Sequence, residues 1–263
     1  MKKIYLILTL TVLFTTVISF QGECKNFESL SDDWTGSIRI EGKTETIWNG
    51  VVTVSDTHIL AKNLDTDELE EFYIPYPSVL GAFYEASVIG EFSYEIEYWP
   101  SFDGFLVKSI EGNSEWWHYW IDYKLPMVGI GDFKLNESHN EILLGYLENW
   151  DASALKIYVD KSSVNKNEEF AVSVFDEKDS SVENATVYAS SKTYYTNSDG
   201  NASIKISNKG NYKIYAEKDD FVRSEKINVQ VKKKSLIKNL EIFRLSILFE
   251  HILKIVRNLK LQI

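Results

Sequence analysis

Short runs of alternating apolar and polar residues, separated by turn-forming clusters, recur along most of the chain. Side chains on a β-strand point alternately to its two faces, so this alternation predicts strands that are buried on one face. In the C-terminal half the runs are residues 155–159, 169–175, 185–189, 202–206, 212–216 and 226–231. Six short strands at this spacing are typical of a β-sandwich. We therefore expect a mainly β protein.

The N-terminal half carries further strand signals. Residues 37–40 and 92–99 alternate, and residues 104–112 form a strand-like run bounded by glycines. Residues 46–54 are rich in β-branched side chains, and the Asn49-Gly50 pair inside them predicts a tight turn. These signals predict a second group of strands ahead of the sandwich.

One helix is predicted in this half, over residues 77–90. Its apolar residues recur at helical spacing, with Pro77 suited to a first helical position and Gly90 to the stop. The acidic residues 65–71 predict a solvated loop before it.

The most aromatic part of the chain is residues 115–146, which hold three of its seven tryptophans. In an extended strand Trp116 and Trp120 share one face, and Trp117, Tyr119 and Tyr123 share the other. One face then fills a core, while the other is covered by a second element or offers an aromatic surface. Large rigid rings are enriched at binding hot spots, so this stretch favours a binding module.

The order of segments PSVLGAFYEAS, GFLVKSIEG, WWHYWIDY, LPMVGIGDFKL and EILLGYL resembles a known domain. It is similar to the β-grasp domain at the C-terminus of transcobalamin and intrinsic factor, which also occurs alone in microbial surface proteins. The resemblance covers roughly residues 46–146 and is most specific over residues 117–133, which include Pro126 and Gly-Ile-Gly-Asp-Phe. Residues 138–140 depart from the Gly-Asp turn of the family, and its helical cobalamin-binding domain has no counterpart in this sequence.

This resemblance implies that the aromatic strand and the segment after it cover a planar ligand. It makes a corrinoid the one cofactor-like ligand to consider; no other cofactor is expected. The predicted ligand-binding residues are Trp116, Trp117, Tyr119, Trp120, Gly129, Ile130 and Gly131. The alternative is that at least half of these rings are core residues. In that case Trp117 or Tyr119 is the ring expected first in the core.

The predicted strands of the sandwich have a resemblance of their own. Residues 182–187, 196–202 and 210–216 resemble the Ig-like or transthyretin-like modules of microbial surface proteins. This implies a spacer or adhesive unit.

The N-terminus has the pattern of a targeting segment. Lys2 and Lys3 precede an almost unbroken apolar run over residues 4–20, which predicts a signal peptide, with an uncleaved anchor as the alternative. Cys24 is the only cysteine, so no disulfide can form within the chain, and Glu23 before it does not fit a lipidation motif. Three glycosylation sequons fit an exported glycoprotein, at Asn136, Asn184 and Asn201.

Charge is distributed unevenly. Residues 232–263 hold eight basic and two acidic residues, a net charge of +6, which leaves −17 for the rest of a chain whose total is −11. An acidic body excludes a nucleic-acid-binding protein. The tail over residues 233–263 has apolar residues at helical spacing among lysines and arginines, which predicts a basic amphipathic helix. Such a helix binds a membrane surface or a partner, or packs against its own protein.

No constellation for catalysis or metal binding emerges. The histidines are scattered, and no metal-binding pair, nucleophile elbow or phosphate loop is present. Acidic residues in two turns could offer oxygen ligands to calcium, but turns favour Asp and Asn for backbone reasons alone. These residues are Asp176, Glu177, Asp179 and Asp199. We expect no enzyme and no metal.

The sequence thus predicts a β-grasp-like α+β domain followed by an Ig-like β-sandwich. The predicted segments are a signal peptide (1–23), a tether with the first strand (24–45), the β-grasp domain (46–147), a linker (148–154), the sandwich (155–232) and the helical tail (233–263). We expect an exported, non-catalytic surface protein that binds an extracellular protein, glycan or small ligand. An adhesion module should present an exposed aromatic patch, whereas planar-ligand capture should show a concave pocket.

Overall fold

The computed structural model describes residues 33–233 and 244–252. The predicted signal peptide, Cys24 and the tether up to residue 32 lie outside the described residues, as do residues 234–243 and 253–263 of the predicted tail helix. The prediction of a mainly β protein is confirmed.

The N-terminal part of the described chain contains nine strands and one longer helix. They are β1 Trp34–Glu41, β2 Thr46–Val54, β3 Thr57–Asn63, β4 Leu69–Ile74, α1 Val79–Gly90, β5 Tyr94–Trp99, β6 Gly104–Ile110, β7 Asn113–Ser114, β8 Trp117–Ile121 and β9 Glu141–Tyr146. A single 3-10 turn, Pro100–Phe102, joins β5 to β6.

These elements form two sheets around one core. The first has the order β2-β1-β9-β8, in which β1 runs antiparallel to β2 and parallel to β9, and β9 runs antiparallel to β8. Helix α1 packs against β2 and β1. The second sheet has the order β4-β3-β5-β6-β7. Ile38 and Ile40 of β1, Phe83 of α1 and Ile59 of β3 share the core between them.

Helix α1 begins two residues later than predicted. Ser78 is its N-cap, and its hydroxyl accepts a hydrogen bond from the Gly81 N–H at 3.0 Å. Pro77 therefore precedes the helix, because a serine side chain satisfies a free N–H that proline cannot. At the other end Gly90 is still helical, and Glu91 takes the left-handed C-cap conformation with φ 53°.

The prediction of a turn at Asn49-Gly50 is wrong. Strand β2 runs straight through it, with Asn49 opposite Arg39 and Gly50 opposite Ile38. The Trp48 ring covers Gly50 closely, since a Cβ there would lie 2.7 Å from the ring. Pairing with a central strand and this ring packing outweigh the local turn preference.

The acidic loop predicted over residues 65–71 is too long. Strand β4 begins at Leu69 and pairs with β3, so that Glu70 and Glu71 lie within a strand. Because β4 is the edge of its sheet, carboxylates there are solvated and discourage pairing with another chain.

The C-terminal part is a second body built of strands. They are β10 Ser153–Ala154, β11 Lys156–Val159, β12 Ser163–Asn165, β13 Glu169–Phe175, β14 Thr186–Ala189, β15 Lys192–Tyr195, β16 Asn201–Lys205, β17 Gly210–Glu217, β18 Phe221–Val222 and β19 Ile227–Lys232. Sheets of order β11-β13-β16 and β12-β19-β17-β14-β15 enclose a core that includes Phe170, Val187 and Ile214. All six predicted runs are strands.

The segment predicted as a linker, residues 148–154, is buried at its end. Ala152 and Ala154 pack with Trp120, Leu143 and Val222 in a cluster between the two bodies. Strand β10 also pairs in parallel with β18. This end of the segment is a structural joint, because small side chains there let the two bodies approach closely.

The joint contains a buried network of charges, which we call the charge lock: Arg39, Glu41, Arg223, Glu217 and Glu225. Arg39 and Glu41 are only 2% and 1% exposed. Glu41 accepts hydrogen bonds from Arg39 Nη1 and Arg223 Nε, each at 3.0 Å. Arg223 also donates to Glu217 at 2.8 Å, and an ion pair of 4.0 Å joins Arg39 to Glu225.

Backbone carbonyls complete the charge lock. Arg39 Nη1 donates to the Arg223 carbonyl at 3.0 Å, and Arg223 Nη1 donates to the Thr44 carbonyl at 2.9 Å. Burial works to lower the pKa of Arg39, but nearby Tyr123, Glu41 and other acidic groups outweigh it and raise that pKa, so the guanidinium stays charged. Each body thus supplies partners for charges of the other.

A short helix, α2, spans residues 244–252, and all of its side chains are exposed. Its large apolar residues are Leu245, Ile247, Leu248, Phe249 and Ile252. Within the described residues no helix is long and apolar enough to cross a membrane.

Replacing Arg223 with methionine should destabilise the protein by about 3–5 kcal/mol, because it removes one partner of a buried charge pair and leaves Glu41 undercompensated. Urea denaturation measures this change. The matched control is Lys43→Met, which breaks the exposed Lys43–Glu148 pair of 2.7 Å and should cost less than about 1 kcal/mol. Equal costs for the two variants would contradict a structural role for the charge lock.

Candidate binding site

The predicted site residues do not all share one surface. Trp120 is completely buried, at 0% exposure, in the cluster between the two bodies. Its indole Nε1 has no hydrogen-bond partner among the described residues. Trp120 is therefore a core residue at the joint. Trp117 and Tyr119, the rings expected first in the core, are partly buried and pack against the core of the first body.

Tyr123 lies on the same side as Trp120, not with Trp117 and Tyr119 as predicted. Strand β8 ends at Ile121, and Asp122 and Tyr123 both take positive φ values of 46° and 60°. Two left-handed residues in succession break the alternation of side chains that the prediction assumed.

Trp116 is neither in the buried cluster with Trp120 nor part of the concavity lined by Trp117 and Tyr119. It packs against Trp150 with ring centroids 5.0 Å apart, and Trp150 is 83% exposed. These two rings form a separate surface pair that sequence spacing could not reveal, since 34 positions separate them.

Four of the seven predicted residues meet at one concavity of about 170 Å³, which we call the aromatic recess. They are Trp117, Tyr119, Gly129 and Ile130, together with Phe105, Leu106, Val107, His118 and Leu144. Gly131 is buried beside the recess, where the Phe105 ring would lie 2.5 Å from a Cβ at that position. Gly131 thus supports the recess wall without being part of its lining.

The recess opens where two strands separate. Strand β7 pairs with β6 at Ser109 and Ile110, and the Glu115 N–H donates to the Lys108 carbonyl at 2.9 Å. Beyond that point β8 leaves β6 and pairs with β9 instead. The side chains of β6 and β8 then face each other across the gap.

The segment after Met127 forms the floor and is fixed by backbone hydrogen bonds. The first N–H groups of α1 need partners outside the helix. Val79 N–H donates to the Phe133 carbonyl at 3.3 Å, and Leu80 N–H donates to the Ile130 carbonyl at 3.0 Å. The helix start therefore holds the Gly-Ile-Gly-Asp-Phe segment against the sheet.

Tyr119 connects strand β8 to the same floor segment. Its hydroxyl donates to the Val128 carbonyl at 2.7 Å, and its ring lies edge-on to Phe133. Burial, assisted by Asp132, raises the pKa of Tyr119, so the phenol remains a hydrogen-bond donor at all ordinary pH values.

Exposed apolar side chains occur in the lining of the recess and just before its lining segment in the chain. Leu106 is part of the lining, and Leu125, Met127 and Val128 precede Gly129. Met127 is 94% exposed, and the other three are also solvent-accessible. Exposed apolar side chains at a concavity are a typical feature of an interaction surface. Sequence reasoning missed the contribution of β6, although Leu106 on an exposed strand position is a signal that could have suggested it.

The residues considered for calcium have other roles. Asp176 Oδ1 accepts from the Lys178 and Ser180 N–H groups in a turn, Asp179 pairs with Lys156, and Glu177 accepts from Ser153 and Ala154. Over the described residues no group of three or more His, Cys, Asp or Glu side chains is placed to hold a metal ion. The sequon residues Asn136, Asn184 and Asn201 are all exposed.

The chain matches no protein-family model and no curated protein. Its function must be inferred from the geometry of its own residues.

Acidification should weaken the fold through His118, which is part of the recess lining and has Nε2 3.1 Å from the Leu147 carbonyl. Burial lowers the pKa of His118 below its ordinary value of 6.5. The unfolded chain therefore takes up a proton first, and stability should fall as pH drops through 6.5 toward the folded-state pKa. Urea midpoints between about pH 7.5 and 5.5 measure this slope.

His118→Gln keeps a donor for the Leu147 carbonyl and should flatten that slope. The control is His58→Gln, since His58 is an exposed side chain whose ion pair with Glu71 spans 3.6 Å. A slope that survives in His118→Gln would refute this assignment.

Proposed function

We propose that this chain is an exported, non-catalytic protein of the cell surface that binds a partner protein through the aromatic recess. The second body serves as a spacer of the Ig-like class. The predicted signal peptide and the exposed sequon residues support export.

We propose that the first body is related to the β-grasp domain of transcobalamin, as the resemblance over residues 46–146 implies. One helix packs on its first sheet, and the parallel pair of that sheet, β1 and β9, includes a strand that lies ahead of residue 46. A second sheet of five strands completes the body.

The observation that carries the proposal is a small recess with exposed apolar residues in its lining and just before its lining segment. Pockets for drug-sized ligands measure roughly 300–1,000 Å³. The recess, at about 170 Å³, matches a single apolar side chain better than a whole ligand. Protein interfaces place such an anchor side chain in a pocket and surround it with contacts that exclude water.

The alternative is capture of a planar ligand such as a corrinoid, favoured by the meeting of Trp117, Tyr119, Gly129 and Ile130 in one concavity. A corrinoid would have to lie across the rim, and a partner protein would have to cover its other face. An anchor side chain of a partner protein would fill the recess by itself, so no further protein would be needed to complete the site.

Selection of a displayed peptide library against the protein tests the proposal. We expect enriched peptides to share one aliphatic or aromatic anchor and to shift tryptophan emission, because Trp117 lines the recess. Leu106→Asp should weaken their binding at least tenfold, since it places a charge at an apolar contact. A corrinoid titrated in the same assay should cause no saturable change.

The matched control is Leu69→Asp, an exposed leucine on the edge strand β4 away from the recess. It should bind the selected peptides as the parent protein does. The proposal is lost if no peptide is enriched, or if Leu106→Asp and the parent bind equally. Saturable corrinoid binding that depends on Trp117 would favour the alternative.

A further inference from the structure

A second and larger concavity lies between the two bodies. This interdomain cleft has a volume of about 730 Å³, which falls within the range of ligand sites. The first body contributes residues 42–44 and 146–148 to its lining, and the second contributes residues 217–223 with Asn184, Thr186 and Tyr188. It shares no lining residue with the aromatic recess.

The charge lock fixes the spacing of the cleft walls. Arg223 lies in the lining, yet its donors are engaged with Glu41, Glu217 and the carbonyls of Gly42 and Thr44. Pairing of β10 with β18 holds the same wall from behind. The cleft is therefore preformed, and a ligand would not have to order it.

Charges of both signs line the cleft, and most are already paired. Lys43 donates to Glu148 at 2.7 Å, and Lys218 donates to the Glu183 carbonyl at 2.8 Å. Asp219 and Asp220 follow Lys218 in the lining and are exposed. A strongly anionic ligand would be repelled by the carboxylates, and a strongly cationic ligand by the two lysines.

Polar groups in the cleft retain capacity for hydrogen bonds. Asp220 uses one carboxylate oxygen, which accepts from Asn149 at 3.4 Å, and the Glu148 contacts with Lys43 and Tyr146 involve one oxygen as well. The remaining oxygens can accept from hydroxyls, and a lysine ammonium has three hydrogens to donate. Hydroxyl groups satisfy both kinds of partner, since they donate and accept.

Aromatic rings lie among these polar groups. Tyr146 comes from the first body and Phe221 from the second, and Tyr188 is stacked on Tyr215 with ring centroids 4.8 Å apart. Flat rings pack against the apolar C–H faces of a sugar while side-chain oxygens bind its hydroxyls. We propose that the interdomain cleft binds a short, uncharged oligosaccharide.

Calorimetric titration of the whole chain, produced in a host that does not glycosylate it, tests this proposal. The probes are chitotetraose, cellotetraose, maltotetraose and mannotetraose. At least one should bind saturably, and the double variant Asp219→Asn, Asp220→Asn should weaken that binding at least tenfold through loss of charge-assisted hydrogen bonds. Asn retains the size of Asp and accepts the left-handed backbone of Asp220, whose φ is 65°.

Two controls make the result specific. Asp199→Asn changes an exposed carboxylate in a turn of the same body that is not part of the cleft lining, and it should leave the affinity unchanged. Leu106→Asp, at the aromatic recess, should also leave it unchanged, so failure of one site is distinguishable from failure of the other. Absence of binding by all four probes, or parent-like affinity in the double variant, would overturn the proposal.

The sequon residue Asn184 lines the cleft, so two sources of the sugar must be distinguished. One is a glycan attached to Asn184 itself, and the other is a glycan of another molecule. Protein from a glycosylating host separates them. If the chain's own glycan fills the cleft, the glycosylated parent should not bind the probe and Asn184→Gln should regain binding. If the cleft receives a glycan from another molecule, the parent and Asn184→Gln should bind alike; failure of both would again overturn the proposal.

Discussion

The buried carboxylate of Glu41 accepts hydrogen bonds from two buried guanidinium groups, one from each half of the chain. A buried carboxylate is costly unless it is paired and hydrogen-bonded, and here Arg39 and Arg223 satisfy it from opposite sides. Neither arginine could be buried alone at that depth. Since the chain's single cysteine allows no internal disulfide, packing around this ion cluster must hold the two bodies together.

The joint also shapes the aromatic recess. Trp120 is buried in the cluster between the bodies, and its strand, β8, pairs with β9. Strand β8 therefore does not pair with β6. The gap between β6 and β8 is lined by Trp117 and Tyr119 on the opposite face of β8. One strand thus serves the joint with one face and the recess with the other, so the two features are coupled through backbone geometry.

Much of the architecture followed from local patterns, because alternation reports which face of a strand is buried. The six strands predicted in the second body and helix α1 are examples. Long-range packing decided the rest. The local sequence at Gly50 predicts a turn, but packing of the Trp48 ring over Gly50 favours a continuous strand. The candidate site was predicted only in part, since the contribution of Leu106 depends on where β8 parts from β6. Nothing in the spacing of Arg39 and Arg223, 184 positions apart, indicates that they meet.

The charge lock has an evolutionary consequence. Glu41 and Arg223 belong to different bodies, so either body moved into another protein would carry a buried charge without one of its partners. Changes at one of these positions demand a compensating change at the other before either is tolerated. The two bodies should therefore be inherited and exchanged as one unit, and in homologous chains residues at positions 39, 41 and 223 should change together or not at all.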